Sequence, residues 1–177
     1  ICGSMLHDLG KIGIPVEILE YPGKLSPQAM NIMRTHVDIT EKIFGDVIED
    51  TVKSLALRHH EKLDGSGYPR GLAAADLSTG ERIVAIADII SALSGTRSYK
   101  TAFSKDKICT IITEMKDAGL IDAAIVELMI SDYDEIMEET RIQCQPILDI
   151  YVLIQKDFDR ISQAMTVDDI AGMKAVF

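Results

Sequence analysis

The sequence predicts an all-α fold. Its apolar 47% rests on Ile, Leu, Met, Val and Ala, because aromatics are only 5% and Trp is absent; that mix favours helices. Apolar residues recur at helical spacing through most of the chain, with no alternating stretch of useful length and no internal repeat. A length of 177 residues with 26% charged side chains suits one globular domain with a real core. Collagenous, low-complexity and disordered classes are excluded by the same composition.

The elements follow in order. Ile1 to Leu9 reads as the end of a helix that begins upstream of residue 1, so a preceding segment is expected. Gly10 stops that helix, and Gly13 and Pro15 keep the next stretch irregular. Val16 to Lys24 reads as a short helical turn and a loop closed by Pro22-Gly23. Ser26 is an N-cap with Pro27 at the first helical position. That helix runs to about Val37, and another spans Asp38 to Phe44. A strong helical pattern covers Val47 to Lys62, with Val47, Ile48, Thr51, Val52, Leu55 and Ala56 on one side. Gly65, Gly67 and Pro69 form a tight loop after it. Glu81 to Ser94 is apolar nearly all round and predicts a buried helix. Ser104 caps a helix that Gly119 ends, and Ile121 to Ile130 and Tyr133 to Met165 complete the set. On the last, Ile136, Ile147, Tyr151, Ile154, Phe158, Ile161 and Met165 form an apolar stripe. It reads first as a face packed on the domain, and second as the dimerising helix of a homodimer.

Several function classes fall away. No stretch approaches the roughly 20 apolar residues of a membrane span; the densest, Ile83 to Ile90, is interrupted by Asp88. Ile1 to Leu6 lacks the basic flank and length of a signal peptide. Three widely spaced cysteines, Cys2, Cys109 and Cys144, fit a reducing compartment, and none forms the CxxC pair of a zinc ribbon. The net charge of −10 argues against DNA or broad nucleic-acid binding. Residues 1–100 hold 11 basic and 13 acidic side chains, net −2, whereas 101–177 hold 7 and 15, net −8. The first part can host an anionic substrate locally; the second reads as a solvated acidic surface.

All four histidines lie in the first 60 residues. His7-Asp8 and His36 stand at helix ends, His59-His60 close the Val47–Lys62 pattern, and Asp88 interrupts the most apolar helix. Singly, each has a plain structural reading as a surface or capping residue. Together they do not. Burying two adjacent ionisable rings is costly without a ligand for both. A buried carboxylate needs a cation or several donors, and Arg82 and Arg97 are the only near candidates in sequence besides a metal. Imidazoles and carboxylates suit Fe, Mn, Ni, Zn or Co. His7, Asp8, His36, His59, His60 and Asp88 are too many for one structural zinc, which also prefers Cys. Asp8 has two oxygens, enough to bridge two ions, and two ions can hold a hydroxide and clamp a phosphoryl oxygen. The chemistry is metal-assisted hydrolysis of a phosphate ester.

These residues resemble the HD-GYP domains of the HD phosphohydrolase superfamily. His7-Asp8-Leu9-Gly10-Lys11 is similar to their HDxGK signature, and the run from His59 to Pro69, HHEKLDGSGYP, to the whole of HHExxDGxGYP. The likeness continues through Ile12-Gly13-Ile14-Pro15, Pro22-Gly23-Lys24-Leu25, Thr35-His36, Ala87-Asp88 and Arg97-Ser98-Tyr99-Lys100, covering about residues 1–130. It implies an HD-type helical bundle as catalytic core over 1–130, with residues 131–177 as C-terminal helices packing on it. It also implies hydrolysis of cyclic di-GMP to the linear dinucleotide pGpG or to GMP, at a centre of two or three divalent ions, Fe or Mn.

Residue by residue, the resemblance makes Asp8 the bridge between ions. His7 and Asp88 complete one shell, His36, His59 and His60 bind the other ion, and a bridging hydroxide attacks phosphorus. Lys11 would meet the scissile phosphate, and Arg97 and Lys100 would hold substrate phosphates. Gly67, Tyr68 and Pro69 would shape the site, and their loop would recruit a diguanylate cyclase. Such domains are cytoplasmic outputs of signalling proteins, behind a receiver or other sensor domain. The family draws a further Glu and His from a helix upstream of HD, which this sequence does not contain. It often has a second Asp where Ser91 stands, and Ser-Asp-Arg in place of Gly95-Thr96-Arg97. The missing upstream helix and Ser91 motivate one alternative, a degenerate domain that binds a cyclic dinucleotide or a partner without catalysis; because the sequence does not fix the second base, another is an HD phosphohydrolase for another nucleotide such as cyclic GMP-AMP.

Overall fold

The computed structural model of the chain describes residues 2–95 and 102–164. Among these the architecture is all-α, and the one extended pairing is an isolated bridge between Asp64 and Ala73. Arg97, Lys100 and Met165 lie outside the described residues. The chain divides into two compact units, Ile1–Ile130 and Ser131–Phe177. No helix of the described residues is long and apolar enough to cross a membrane.

The first unit begins with α1 (Cys2–Leu6), a 3-10 turn at Leu9–Gly13, α2 (Val16–Leu19), α3 (Pro27–Arg34), α4 (His36–Phe44) and α5 (Asp50–Leu57). A 3-10 turn at Ala74–Asp76 leads into α6 (Thr79–Ser94), α7 (Lys105–Asp117) and α8 (Ala123–Ser131). Ser26 caps α3 as expected, its hydroxyl accepting from Ala29 N at 3.2 Å, with Pro27 first in the helix. Ser104 caps α7 in the same way through Lys107 N. Gly119, at φ 70°, takes the left-handed turn after α7 that a side chain would resist.

Four local expectations shift. The first helix ends at Leu6, so His7 and Asp8 stand in the turn beyond it. The break between α3 and α4 falls at Thr35, not after Val37. His36 is therefore the first residue of α4 and not the last turn of its predecessor. The Val47–Lys62 pattern shortens to Asp50–Leu57, which leaves His59 and His60 in a turn where ring orientation is not tied to helical pitch. On α6, Ala85, Ile86 and Ile90 are buried but Ile83 is 49% exposed, so this helix buries one face and not its whole circumference.

The core of this unit is aliphatic. Val37, Phe44, Ala56, Ile108, Ile112 and Val126 are almost wholly removed from water; each fully buried Ile or Val contributes roughly 1.5–3 kcal/mol. One close approach matters most for the site. The 3-10 turn lies directly on α4, where Gly10 N donates to Thr40 Oγ1 (2.8 Å) and that hydroxyl donates to His36 O (2.9 Å). A Cβ on Gly10 would overlap the His36 carbonyl oxygen and lie 2.7 Å from Thr40 N. Only glycine lets Asp8 and His36 approach one another.

The second unit is described through α9 (Tyr133–Ala164). Pro146 sits inside it and supplies no N–H to the preceding turn. Ile147, Tyr151, Ile154, Phe158 and Ile161 of the apolar stripe are all exposed.

Gly10→Ala should destabilise the chain by about 1–3 kcal/mol through overpacking against backbone that cannot yield. The urea midpoint measures this, and an unchanged midpoint would refute the close approach.

Candidate metal centre

Three helix ends converge on one point, and each delivers a histidine by the same local device. The last carbonyls of a helix have no partner within it. His7 Nδ1 takes the Ser4 carbonyl of α1 (2.6 Å), His36 Nδ1 the Met33 carbonyl of α3 (2.8 Å), and His59 Nδ1 the Ala56 carbonyl of α5 (2.6 Å). A carbonyl only accepts, so each Nδ1 carries the proton. Each Nε2 is thereby aimed away from its helix end, the arrangement that orients imidazole ligands toward a cation.

The acids arrive from two directions. Asp8 follows His7 in the turn that Gly10 seats on α4. Asp88 comes from α6, whose start is fixed by a capping box: Ser78 N donates to Glu81 Oε2 (2.7 Å) and Glu81 N to Ser78 Oγ (3.4 Å). The other oxygen of buried Glu81 accepts from Arg58 Nη1 (3.0 Å). Arg58 immediately precedes His59, and Asp88 is seven residues beyond Glu81, about two turns along the same face.

His7 Nε2 lies 3.3 Å from Asp8 Oδ2 and 3.4 Å from Asp88 Oδ1. His36 Nε2 lies 3.5 Å from Asp8 Oδ1, and His60 Nδ1 lies 4.0 Å from Asp88 Oδ2. The Lys11 ammonium donates to Asp8 Oδ2. His59 and His60 have ring centroids 3.9 Å apart. Two ligand triads result, His36–His59–His60 and His7–His59–Asp88, each with its donor atoms within 4.8 Å of one another. His59 belongs to both. Asp8 stands between them, with Oδ2 on the His7 side and Oδ1 on the His36 side.

Electrostatics separates the rings. Hydrogen bonds to Asp8 and then Asp88 raise His7 to about 10. Burial holds His36 down, takes His59 to about 4, and lowers His60 together with its neighbour His59, so these three rings are neutral near pH 7. Burial pushes the Asp8 carboxyl up, but donation from His7 and Lys11 outweighs it and leaves Asp8 below the usual range. Asp88 is lowered likewise, burial being outweighed chiefly by donation from His7. Asp8 Oδ1, His36 Nε2 and His59 Nε2 are buried without a hydrogen-bond partner. Three acceptors facing one another cannot satisfy each other; a divalent cation satisfies them all. The donor set of imidazole and carboxylate fits Fe, Mn or Zn.

The loop after His60 folds back over the centre. Asp64 Oδ1 accepts from Ser66 N (2.9 Å) and Ser66 Oγ (2.7 Å), forming a tight Asx turn. A Cβ on Gly67 would lie 2.5 Å from Glu61 Cα, so the loop rests directly on the His60–Lys62 backbone. Tyr68 is thereby stacked on the His60 ring, with centroids 4.6 Å apart and planes at 27°. Its hydroxyl is held well above the usual tyrosine range by burial. Buried Glu61 staples the loop's exit, accepting from Arg70 N (2.7 Å) and Leu72 N (2.9 Å). Beside His7 and Asp88 a cleft of about 190 Å³ opens, lined also by Ser4, Val84, Ala87 and Ser91. It can take part of a nucleotide and not a whole dinucleotide, since drug-sized ligands occupy about 300–1,000 Å³.

Asp8, Lys11, His7, His36, His59, His60 and Asp88 are thus gathered in one place, with Gly67, Tyr68 and Pro69 in the loop above them. Sequence reasoning gave Glu61 no role beyond its place in the signature, and passed over Arg34. The Arg34 guanidinium carbon sits 4.9 Å from the Tyr68 ring centroid. Nothing in the sequence distinguishes Arg34 from any cation in the last turn of a helix.

The family model for the HD domain matches residues 2–125. The 3'3'-cGAMP-specific phosphodiesterase 2 of Vibrio cholerae is 39% identical over 135 residues, 75% of this chain and 26% of that protein. A probable cyclic di-GMP phosphodiesterase of the same organism is 39% identical over 135 residues, 69% of this chain and 31% of that protein. A cyclic di-GMP phosphodiesterase of Thermotoga maritima is 45% identical over 98 residues, 54% of this chain and 27% of that protein. The chain spans less than a third of the length of these curated relatives.

Glu61→Leu should leave the Arg70 and Leu72 amides without acceptors, costing about 1–3 kcal/mol for each. Hydrogen exchange at those two amides should quicken while α6 stays protected; unchanged exchange would mean the loop is held by other contacts.

Proposed function

This chain belongs to the HD domain family, in its HD-GYP branch, and on that premise we propose that it is a metal-dependent phosphodiesterase of a cyclic dinucleotide, cyclic di-GMP or 3'3'-cGAMP. The observation that carries this reading is the set of buried, unpartnered acceptors Asp8 Oδ1, His36 Nε2 and His59 Nε2 at the meeting of three helix ends. His36, His59 and His60 would hold one ion and His7 and Asp88 the other, and Asp8, between the two groups, would serve both. Two ions, or three, of Fe or Mn are the proposed cofactors. Bound there, they supply Lewis-acid charge and lower the pKa of a coordinated water.

The chain's own groups do the rest. The three Nδ1–H bonds lock the imidazoles in orientation. Lys11, already beside Asp8 Oδ2, presents a compact positive charge to the scissile phosphate and to the charge that grows on it. Tyr68, pinned on His60 by Gly67 and the Pro69 exit, offers a flat face for a base. Arg34 above Tyr68, and Arg97 and Lys100 from the resemblance, are proposed to neutralise the remaining phosphate. Residues 1–130 are proposed as the catalytic core and 131–177 as a C-terminal helical extension.

The chain covers under a third of its relatives' length, which supports a role as one output domain of a longer signalling protein with a receiver or sensor part. A cytoplasmic setting, and recruitment of a diguanylate cyclase through the Gly67–Pro69 loop, belong to the same proposal.

Metal-loaded protein prepared anaerobically should convert cyclic di-GMP or 3'3'-cGAMP to linear dinucleotide or GMP, read by chromatography. Tight binding of either without any product would sink the catalytic reading and leave a binding module. Elemental analysis should show His59→Ala losing metal relative to the unsubstituted chain, because its buried Nε2 has no other partner; full retention would remove His59 from the ligand set. Lys11→Ala should retain its metal and lose about 10²-fold in kcat; unchanged kcat would remove Lys11 from the chemistry.

A further inference from the structure

The face of α9 is built to meet a copy of itself. Cys144, Ile147, Tyr151, Ile154, Phe158 and Ile161 follow one another at alternating steps of three and four residues. That is the 3.5-residue repeat of a seam running continuously along a partner helix. Ile147 is 70% exposed, Tyr151 65%, Phe158 63%, and Ile154 and Ile161 61% each. This strip, flanked by exposed Leu148 and Ile150, is part of a larger exposed apolar surface that also includes Val152 and Leu153 off the seam, and a surface of that size marks an interaction site. Its charges suit a helix and not a lipid surface. Asp149, Lys156, Asp159 and Arg160 lie off the seam, Asp157 is the only charge on its flanks between residues 144 and 162, and the rows of Lys and Arg that anchor a helix to anionic lipid are missing from these described residues.

The side chains choose both partner and direction. Turned antiparallel about a point between Val152 and Leu153, two copies oppose Tyr151 to Ile154, Ile147 to Phe158, and Cys144 to Ile161. Each aromatic then meets a β-branched residue, so large and smaller knobs alternate across the seam. A parallel pair would instead press Tyr151 on Tyr151 and Phe158 on Phe158. It would also place Ile at every second seam position, a pattern that disfavours two parallel strands. Charge agrees. The start of α9 carries Asp134, Glu135, Glu138 and Glu139. A parallel pair would set these two clusters side by side, whereas an antiparallel pair separates them by roughly 50 Å at 1.5 Å per residue, far beyond the Debye length of about 8–10 Å.

We propose that α9 forms an antiparallel two-helix dimer with α9 of a second copy through this seam. The contact from Cys144 to Ile161 is about 27 Å long. That places the interface at the small end for stable pairs, so the dimer depends on protein concentration. The proposal stands independently of the phosphodiesterase reading.

Sedimentation of the whole chain should show a reversible monomer–dimer equilibrium in the micromolar range, shifted at least tenfold toward monomer by Ile154→Asp. Disulfide mapping gives a second readout that does not depend on that variant folding. On oxidation, Ile161→Cys should yield an intermolecular bond between the introduced thiol and Cys144, while the unsubstituted chain should not join Cys144 to Cys144. A monomer at every concentration would overturn the proposal and assign the seam to another segment or another protein. A Cys144–Cys144 bond would overturn the antiparallel arrangement.

Discussion

The contact on which the site depends is the one between Glu81 and Arg58. Glu81 is buried, and its carboxylate does two tasks at once. One oxygen closes the capping box that starts α6, and the other receives the Arg58 guanidinium at the end of α5. Leaving such a carboxylate without its cation typically costs about 3–5 kcal/mol, so the pair is held firmly. Its consequence is registry. His59 and His60 follow Arg58 directly, and Asp88 follows Glu81 by two helical turns. An ion pair between a buried carboxylate and a half-exposed guanidinium therefore helps set the distance between the two histidines and the carboxylate they face. The second anchor is the seating of Gly10 on His36 and Thr40, which does the same for Asp8 and His36.

Around those anchors the fold spends its helix ends. The carbonyls that α1, α3 and α5 leave unmatched are each taken by the Nδ1–H of a histidine three residues on. A routine problem of helix termination is thus turned into ligand orientation. The partial negative charge at a helix C-terminus also favours a cation nearby. Burial keeps His36, His59 and His60 neutral, so their lone pairs are available without a proton to displace.

The Asp64–Leu72 loop extends this centre toward a ligand. Glu61 holds its exit, Gly67 lets it lie on the backbone below, and the result is a layered stack of His60, Tyr68 and Arg34. It joins His60, a candidate metal ligand, through Tyr68 to an exposed guanidinium. That is a suitable order for a substrate whose phosphate must reach the metals while its base finds a flat surface. The α9 seam lies in the other unit and speaks to association, not chemistry.

The sequence by itself determined the helical class, the caps at Ser26 and Ser104, the stop at Gly119 and the six candidates for metal ligation. These are legible because caps and stops are local, and because the HDxGK and HHExxDGxGYP runs are long enough to be specific. Residue type alone makes His7, Asp8, His36, His59, His60 and Asp88 candidates for a metal. The tertiary structure decided what depends on separations the chain order does not record. It shortened the Val47–Lys62 helix to Asp50–Leu57, freeing His59 to face both His36 and His7. It turned Glu61 from a letter in a motif into the staple of a loop, and raised Arg34 from a surface cation to the cap of the Tyr68 stack. In each case the deciding quantity is a contact between residues far apart in sequence. Helical periodicity reports which face a residue occupies, but not which distant group that face will meet.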